Sequence, residues 1–157
     1  TPSRFEQMLD VFNERGGSVL TCVKRDNDQD YKRYGYAGGE ELSPGLVDIK
    51  TIIEKPGTRE NSPSDIATVS GYVFEPALLD YLREHRENYD TSKEFMIQES
   101  MQKMIKDGHH MYGLEVANGT YYDTGNPLEY IKTVFDFVLK RDDIGPELKE
   151  FLRKKLQ

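Results

Sequence analysis

The sequence predicts an α/β fold: a mixed sheet flanked by helices, within one domain over residues 1–157. Three observations carry this. Apolar runs dense in Val, Ile, Leu and Thr alternate with amphipathic stretches of helical period. Gly and Pro punctuate the changes between them. A length of 157 residues suits a single core. The sheet-forming part is expected up to about residue 125, with C-terminal helices over 126–157.

The elements follow in order. Phe5, Met8, Leu9 and Phe12 lie at i, i+3, i+4 and i+7, one face of a first helix. Either Thr1-Pro2 or a Ser3-x-x-Glu6 box caps its start, and Gly16-Gly17 end it. Ser18 to Lys24 reads as a buried strand. Asp26 to Arg33 is polar with room for one helical turn. Tyr34 to Ala37 is strand-like, and Gly38-Gly39-Glu40-Glu41 looks like a hairpin turn. Strands are expected over Leu46–Ile53 and Ile66–Phe74, separated by a polar loop over Gly57–Asp65. Pro76 fits a first helical position ahead of the stripe Leu78, Tyr81, Leu82, His85. A second stripe, Ile97, Met101, Met104, Ile105, stops at Gly108. Met111 to Val116 is a strand candidate and Thr120 to Asp123 a short one. Leu128, Ile131, Val134, Phe135 and Val138 face one side of a helix begun by Pro127. A last helix follows Gly145-Pro146. Strand order is not readable from these patterns.

Composition narrows the function. Hydrophobic residues are 36% and charged residues 31%, with 10 Tyr and 7 Phe, which is globular rather than disordered. The net charge is -7, and no basic run precedes Arg153-Lys154-Lys155, so nucleic acid is not an expected partner. No apolar stretch reaches the roughly 20 residues of a membrane helix, and the N-terminus lacks a signal pattern. Cys22, the single cysteine, reads as a small buried hydrophobe. A reducing, cytoplasmic setting is the expectation.

Four places carry chemistry-bearing residues. In Arg33-Tyr34-Gly35-Tyr36, Gly35 allows a ligand to approach the backbone, or is a plain strand-entry glycine. Glu54-Lys55-Pro56 ends a strand, where α/β folds place ligands. A carboxylate accepts hydrogen bonds from neighbouring sugar hydroxyls and an ammonium meets a phosphate; the plain alternative is a solvated charge pair before a turn. Asp123, in Tyr122-Asp123-Thr124-Gly125, is a hard donor suited to Mg²⁺, while Asp123, Thr124 or Asn126 equally serves as the cap of the helix begun by Pro127. Asp-Thr-Gly is also the aspartic-protease triplet, but that chemistry needs two such carboxylates and no second triplet exists. His109-His110 on a strand would point to opposite faces, poor geometry for joint metal ligation.

Taken in order, Arg-Tyr-Gly, Glu-Lys-Pro, Pro-Ser-x-x-Ala before a Gly-Tyr strand, and Tyr-Asp-x-Gly before a long helix resemble the bacterial UTP–glucose-1-phosphate uridylyltransferases. The resemblance spans nearly the whole chain, from Phe5-Glu6-Gln7-Met8-Leu9 to the segment Lys140-Arg141-Asp142-Asp143-Ile144-Gly145-Pro146-Glu147-Leu148. It implies part of a nucleotide-diphospho-sugar transferase (Rossmann-like) fold. It also implies attack of the glucose 1-phosphate oxygen on the α-phosphorus of UTP, giving UDP-glucose and pyrophosphate. By the same resemblance the Gly35 backbone contacts the hexose, Glu54 accepts from sugar hydroxyls, Lys55 meets the sugar phosphate, and Asp123 lies at a Mg²⁺ site.

The chain departs from the family at several positions. Asp65 stands for the usual Asn and Ser70 for Gly. After Glu94 the family's Gln, Thr and Asp are replaced, so no role passes to Met96, Gln98 or Glu99. Nothing resembles the family's Gly-x-Gly-Thr-Arg phosphate loop or its first acidic metal ligand. The expectation is therefore the sugar-phosphate half alone, a fragment inactive by itself. An open strand edge and exposed apolar surface should then drive homo-oligomerisation. Two alternatives stay open: a non-catalytic sugar-phosphate-binding or oligomerisation module, and a thymidylyltransferase-type paralogue.

Overall fold

The structure, a computed structural model, describes residues 2–156. The chain divides into two compact units, Thr1–Gly119 and Thr120–Gln157.

The first unit begins with helix α1 (Arg4–Arg15). Its start is a capping box: Glu6 N–H donates to the Ser3 hydroxyl and the Ser3 N–H to the Glu6 carboxylate, which satisfies two end groups reciprocally. The Thr1 part of the alternative cap lies outside the described residues. Of the predicted apolar face, Met8 is fully buried against Val19, Leu46 and Tyr112, while Phe5 and Leu9 remain exposed. Gly16 and Gly17, both at positive φ, turn the chain into strand β1 (Ser18–Lys24).

A 3₁₀ turn (Asp30–Lys32) precedes strand β2 (Gly35–Ser43) and strand β3 (Leu46–Glu54). Here the structure corrects the sequence reading. Gly38-Gly39 is not a hairpin turn; β2 runs through it, and the chain reverses at Pro44-Gly45 instead. The register shifts between Gly38 and Gly39. A side chain at Gly39 would overlap the Asp48 carbonyl, and one at Gly38 would come within 2.6 Å of Pro63. Both glycines therefore serve a bulge under close neighbours.

Strand β4 (Ile66–Val73) leads to helices α2 (Leu78–Glu87) and α3 (Ile97–Lys106), then strand β5 (Met111–Glu115). Pro76 lies in the turn before α2, not at its first position. The strands are ordered β1-β4-β2-β3-β5 and close into a barrel. β1 and β5 are parallel and the other pairs antiparallel, so the sheet is mixed as predicted. Closure removes most of the expected open edge, but β2 meets β4 only at Ala67 and Thr68, and β3 meets β5 only from Leu46 to Asp48. β1, flanked on both sides, is the continuous apolar run such a position requires. Leu20, Ile49, Met101, Met104 and Met111 fill the main core, each essentially inaccessible. Burial of each side chain contributes about 1.5–3 kcal/mol.

The second unit holds helices α4 (Pro127–Leu139) and α5 (Gly145–Lys155). Thr120–Asp123 is not a strand. Asn126 caps α4, its side-chain oxygen accepting from the N–H groups of Leu128 and Glu129. Among the described residues, no helix is long and apolar enough to cross a membrane.

Candidate functional site

Gly35, Glu54 and Lys55 come together where the barrel closes. Gly35 opens β2 and pairs with Glu54, the last residue of β3, on one side and with Thr68 of β4 on the other. The missing side chain at Gly35 is what admits the carboxylate. A Cβ there would sit 2.7 Å from Glu54 Oε2 and 3.0 Å from Thr68 Oγ1. Thr68 donates its hydroxyl to the Gly35 carbonyl at 3.2 Å and stays out of the way. Behind Gly35 the fully buried rings of Tyr31 and Tyr36 stack at 4.5 Å, giving the strand start a rigid backing.

The two charges of the site are held differently. The Glu54 side chain is 22% exposed and the Lys55 side chain 51%. Lys55 Nζ lies 3.6 Å from Glu54 Oε1, too open a pair to add much stability. Lys55 also has φ 48, a left-handed backbone that non-glycine residues rarely adopt, and its N–H donates to the Tyr34 carbonyl at 3.1 Å. Strain of this kind is retained where surrounding structure enforces it, typically at functional sites. It turns the chain at the end of β3, where the Lys55 ammonium stays within 3.6 Å of the Glu54 carboxylate.

Gln98, on the first turn of α3, completes the group. Its Nε2 donates to Glu54 Oε2 at 3.1 Å. A carboxylate oxygen accepts at two lone-pair sites, so the Gln98 bond leaves acceptor capacity for an incoming hydroxyl. The arrangement is a partly buried, oriented carboxylate beside a half-exposed ammonium. It suits a ligand with hydroxyl donors at one end and an anion at the other.

The comparisons with known proteins bear on this geometry. Residues 1–140 match the nucleotidyl transferase family. This chain belongs to that family. A UTP–glucose-1-phosphate uridylyltransferase from Staphylococcus epidermidis is 28% identical over 98% of this chain and 51% of its own length. A solved UDP-glucose pyrophosphorylase complexed with UDP-glucose superposes with a TM-score of 0.78 at 25% identity, covering 90% of this chain and 51% of that one. An apo UDP-glucose pyrophosphorylase gives a TM-score of 0.80 at 25% identity, over 90% and 50%. The chain spans about half the length of the curated relatives it matches.

Asp123 lies in the second unit, where its Oδ1 accepts the Gly125 N–H at 3.0 Å. Mg²⁺ takes one or two carboxylates and completes its shell with water and phosphate oxygens. Among the described residues, no group of three or more His, Cys, Asp or Glu is arranged to hold a metal. The sequence expectation of a metal at Asp123 is thus left to a single carboxylate, one oxygen of which accepts the Gly125 N–H.

Other candidates resolve into packing roles. His109 contacts Glu75 at 3.3 Å and meets the edge of Tyr81, while His110 stacks on Tyr112 and faces Asp48 at 3.7 Å. The two rings have separate partners. Cys22 is buried, and burial pushes its thiol up to about 12, which leaves it inert as a nucleophile at neutral pH.

Sequence reasoning missed Gln98, because its neighbours depart from the family pattern. A local signal did exist: Gln98 and Gln102 stand four apart, on either side of the buried Met101, along an amphipathic helix.

Proposed function

We propose that this chain supplies the sugar-phosphate site of a UTP–glucose-1-phosphate uridylyltransferase, which forms UDP-glucose and pyrophosphate, and that it self-associates. The observation that carries the reading is the Gly35–Glu54–Lys55 group at the closing edge of the barrel. It occurs in a chain similar over 90% of its length to a pyrophosphorylase solved with UDP-glucose. Glu54 accepts hydrogen bonds from hexose hydroxyls, and the Gly35 backbone lets the ring approach. Lys55 reaches the sugar phosphate and offsets its charge.

In the reaction a phosphate oxygen of glucose 1-phosphate attacks the α-phosphorus of UTP and pyrophosphate leaves. Phosphoryl-type transfer of this kind depends on positioning and charge neutralisation, with no protein nucleophile required. Glu54 and Gly35 fix the sugar, and with it the line of approach of the attacking oxygen. Lys55 favours the dianionic phosphate as it docks. Mg²⁺ would supply charge neutralisation in this chemistry, and Asp123, in the second unit, is the residue proposed as a ligand to it. These 157 residues contain no Gly-rich phosphate loop. The proposal is therefore that this chain binds the sugar phosphate and does not turn it over by itself.

The test is calorimetric titration of the chain with glucose 1-phosphate. Hydrogen bonds to charged groups are worth about 1.5–3 kcal/mol, so Glu54→Ala should weaken binding about 10- to 100-fold. Lys55→Ala should weaken glucose 1-phosphate and inorganic phosphate together. Equal affinity in the wild type and both variants removes the site. Turnover of UTP and glucose 1-phosphate by the chain alone overturns the binding-only part.

A further inference from the structure

The α3 glutamines do a job that neither apolar packing nor the family pattern explains. β5 covers the outer side of β3 only from Leu46 to Asp48. Beyond that point Gln102 takes the place of a strand. Its Oε1 accepts the Ile52 N–H at 2.8 Å and the Thr51 hydroxyl at 3.4 Å. A side-chain amide carries one acceptor and two donors, so it can stand in for a backbone neighbour at an exposed edge. This fixes the height of α3 along β3.

One turn earlier, at i−4, the same face of α3 delivers Gln98 to Glu54 at 3.1 Å. The platform beneath is stiff: Met101 and Met104 on α3 are sealed in the core. A glutamate side chain free at a strand end samples several rotamers and loses that freedom on binding. A donor that holds it beforehand removes the cost from the binding step. The donor is also neutral. The amide occupies one lone pair of Oε2, while Lys55, half exposed, already supplies the cation at 3.6 Å from Oε1.

We propose that Gln98 is a positioning residue: its amide, held in register by Gln102, locks the Glu54 carboxylate in the orientation that receives sugar hydroxyls. The proposal rests on the reading of Glu54 as a hydroxyl acceptor, and its test separates the two.

The variant is Gln98→Met, which keeps length and packing and removes the donor. NMR Hα–Hβ couplings of Glu54 in the free chain report its rotamer. The expected result is one rotamer in the wild type and averaged couplings in the variant. Unchanged couplings overturn the proposal whatever the binding data show. Titrations with glucose 1-phosphate and with inorganic phosphate supply the functional arm. Gln98→Met should lose about tenfold in affinity for the sugar phosphate and keep that for inorganic phosphate. A merely structural role would instead lower both affinities and the thermal midpoint together. Should Gln98→Met fail to fold, Gln98→Glu preserves shape and sets a second carboxylate against Glu54. It should lower affinity for the sugar phosphate, and full affinity in that variant overturns the proposal. If Glu54→Ala binds as well as wild type while the couplings still respond to Gln98, the positioning of Glu54 stands but its role toward sugar fails. That outcome overturns the functional half of the proposal together with the reading beneath it.

Discussion

Two glycines of β2 meet obstacles of different kinds, and the difference decides what a methyl group would do at each. At Gly35 the nearest atom to an added Cβ is Glu54 Oε2, at 2.7 Å, the far end of a flexible side chain. At Gly39 it is the backbone carbonyl of Asp48, held by strand pairing. Gly35→Ala should therefore fold, with the Glu54 carboxylate pushed off its Gln98 partner and sugar-phosphate affinity lost. Gly39→Ala cannot be relieved by a rotamer change. It should cost about 3 kcal/mol or more in urea unfolding, the upper range for overpacking. A Gly35→Ala variant that binds glucose 1-phosphate normally, or a Gly39→Ala variant of wild-type stability, contradicts these assignments. The same pair shows why one glycine was legible in the sequence and the other was not. Gly35 sits beside aromatic residues at a strand entry, a local cue. Gly39 looks like turn chemistry until Asp48, nine residues on, is seen lying across it.

At the scale of elements, α4 is the one whose packing departs furthest from its sequence. Its apolar periodicity was readable, as were the caps: Pro127 at its start and Asn126 ahead of it, because such signals are local. Yet its buried residue is the polar Thr133, whose hydroxyl donates to the Glu129 carbonyl, while Leu128, Ile131, Val134 and Phe137 are exposed. Phe137 is 61% exposed. An apolar stripe of this length left in water favours association, and a second copy of the chain is the proposed occupant. Sedimentation should show a mass that rises with concentration, and Ile131→Glu with Phe137→Glu should suppress the rise while leaving glucose 1-phosphate affinity intact. A wild-type chain monomeric at every concentration disproves it. α3 offers the opposite lesson. Its apolar stripe was read correctly, but a glutamine on a helix acquires meaning only once the uncovered edge of β3 is known to lie beside it.

For the first unit as a whole, the barrel's order could not be read from the chain, since each closure joins segments far apart in sequence. That order has a mechanical consequence. β1 meets β4 through five residue pairs and β5 through five, whereas β2 meets β4 through two. Local opening follows the weakest contiguous contact, so the ring should part first between β2 and β4. Amides of Tyr36 and Ala67 at that seam should then exchange with solvent faster than those of Val19 to Cys22 in β1, although all are buried. The seam is also where Gly35 holds Thr68 on one side and Glu54 on the other, so each opening disperses the candidate site. A ligand that requires the closed form suppresses opening in proportion to its occupancy. Glucose 1-phosphate at about 100 times its dissociation constant should therefore slow exchange at Tyr36 and Ala67 by about 100-fold, leave β1 amides nearly unchanged, and have no such effect in the Glu54→Ala chain. Equal exchange at the seam and in β1, or a slowing that spreads evenly over all strands, would mean that the barrel opens as one unit and that closure and binding are not coupled.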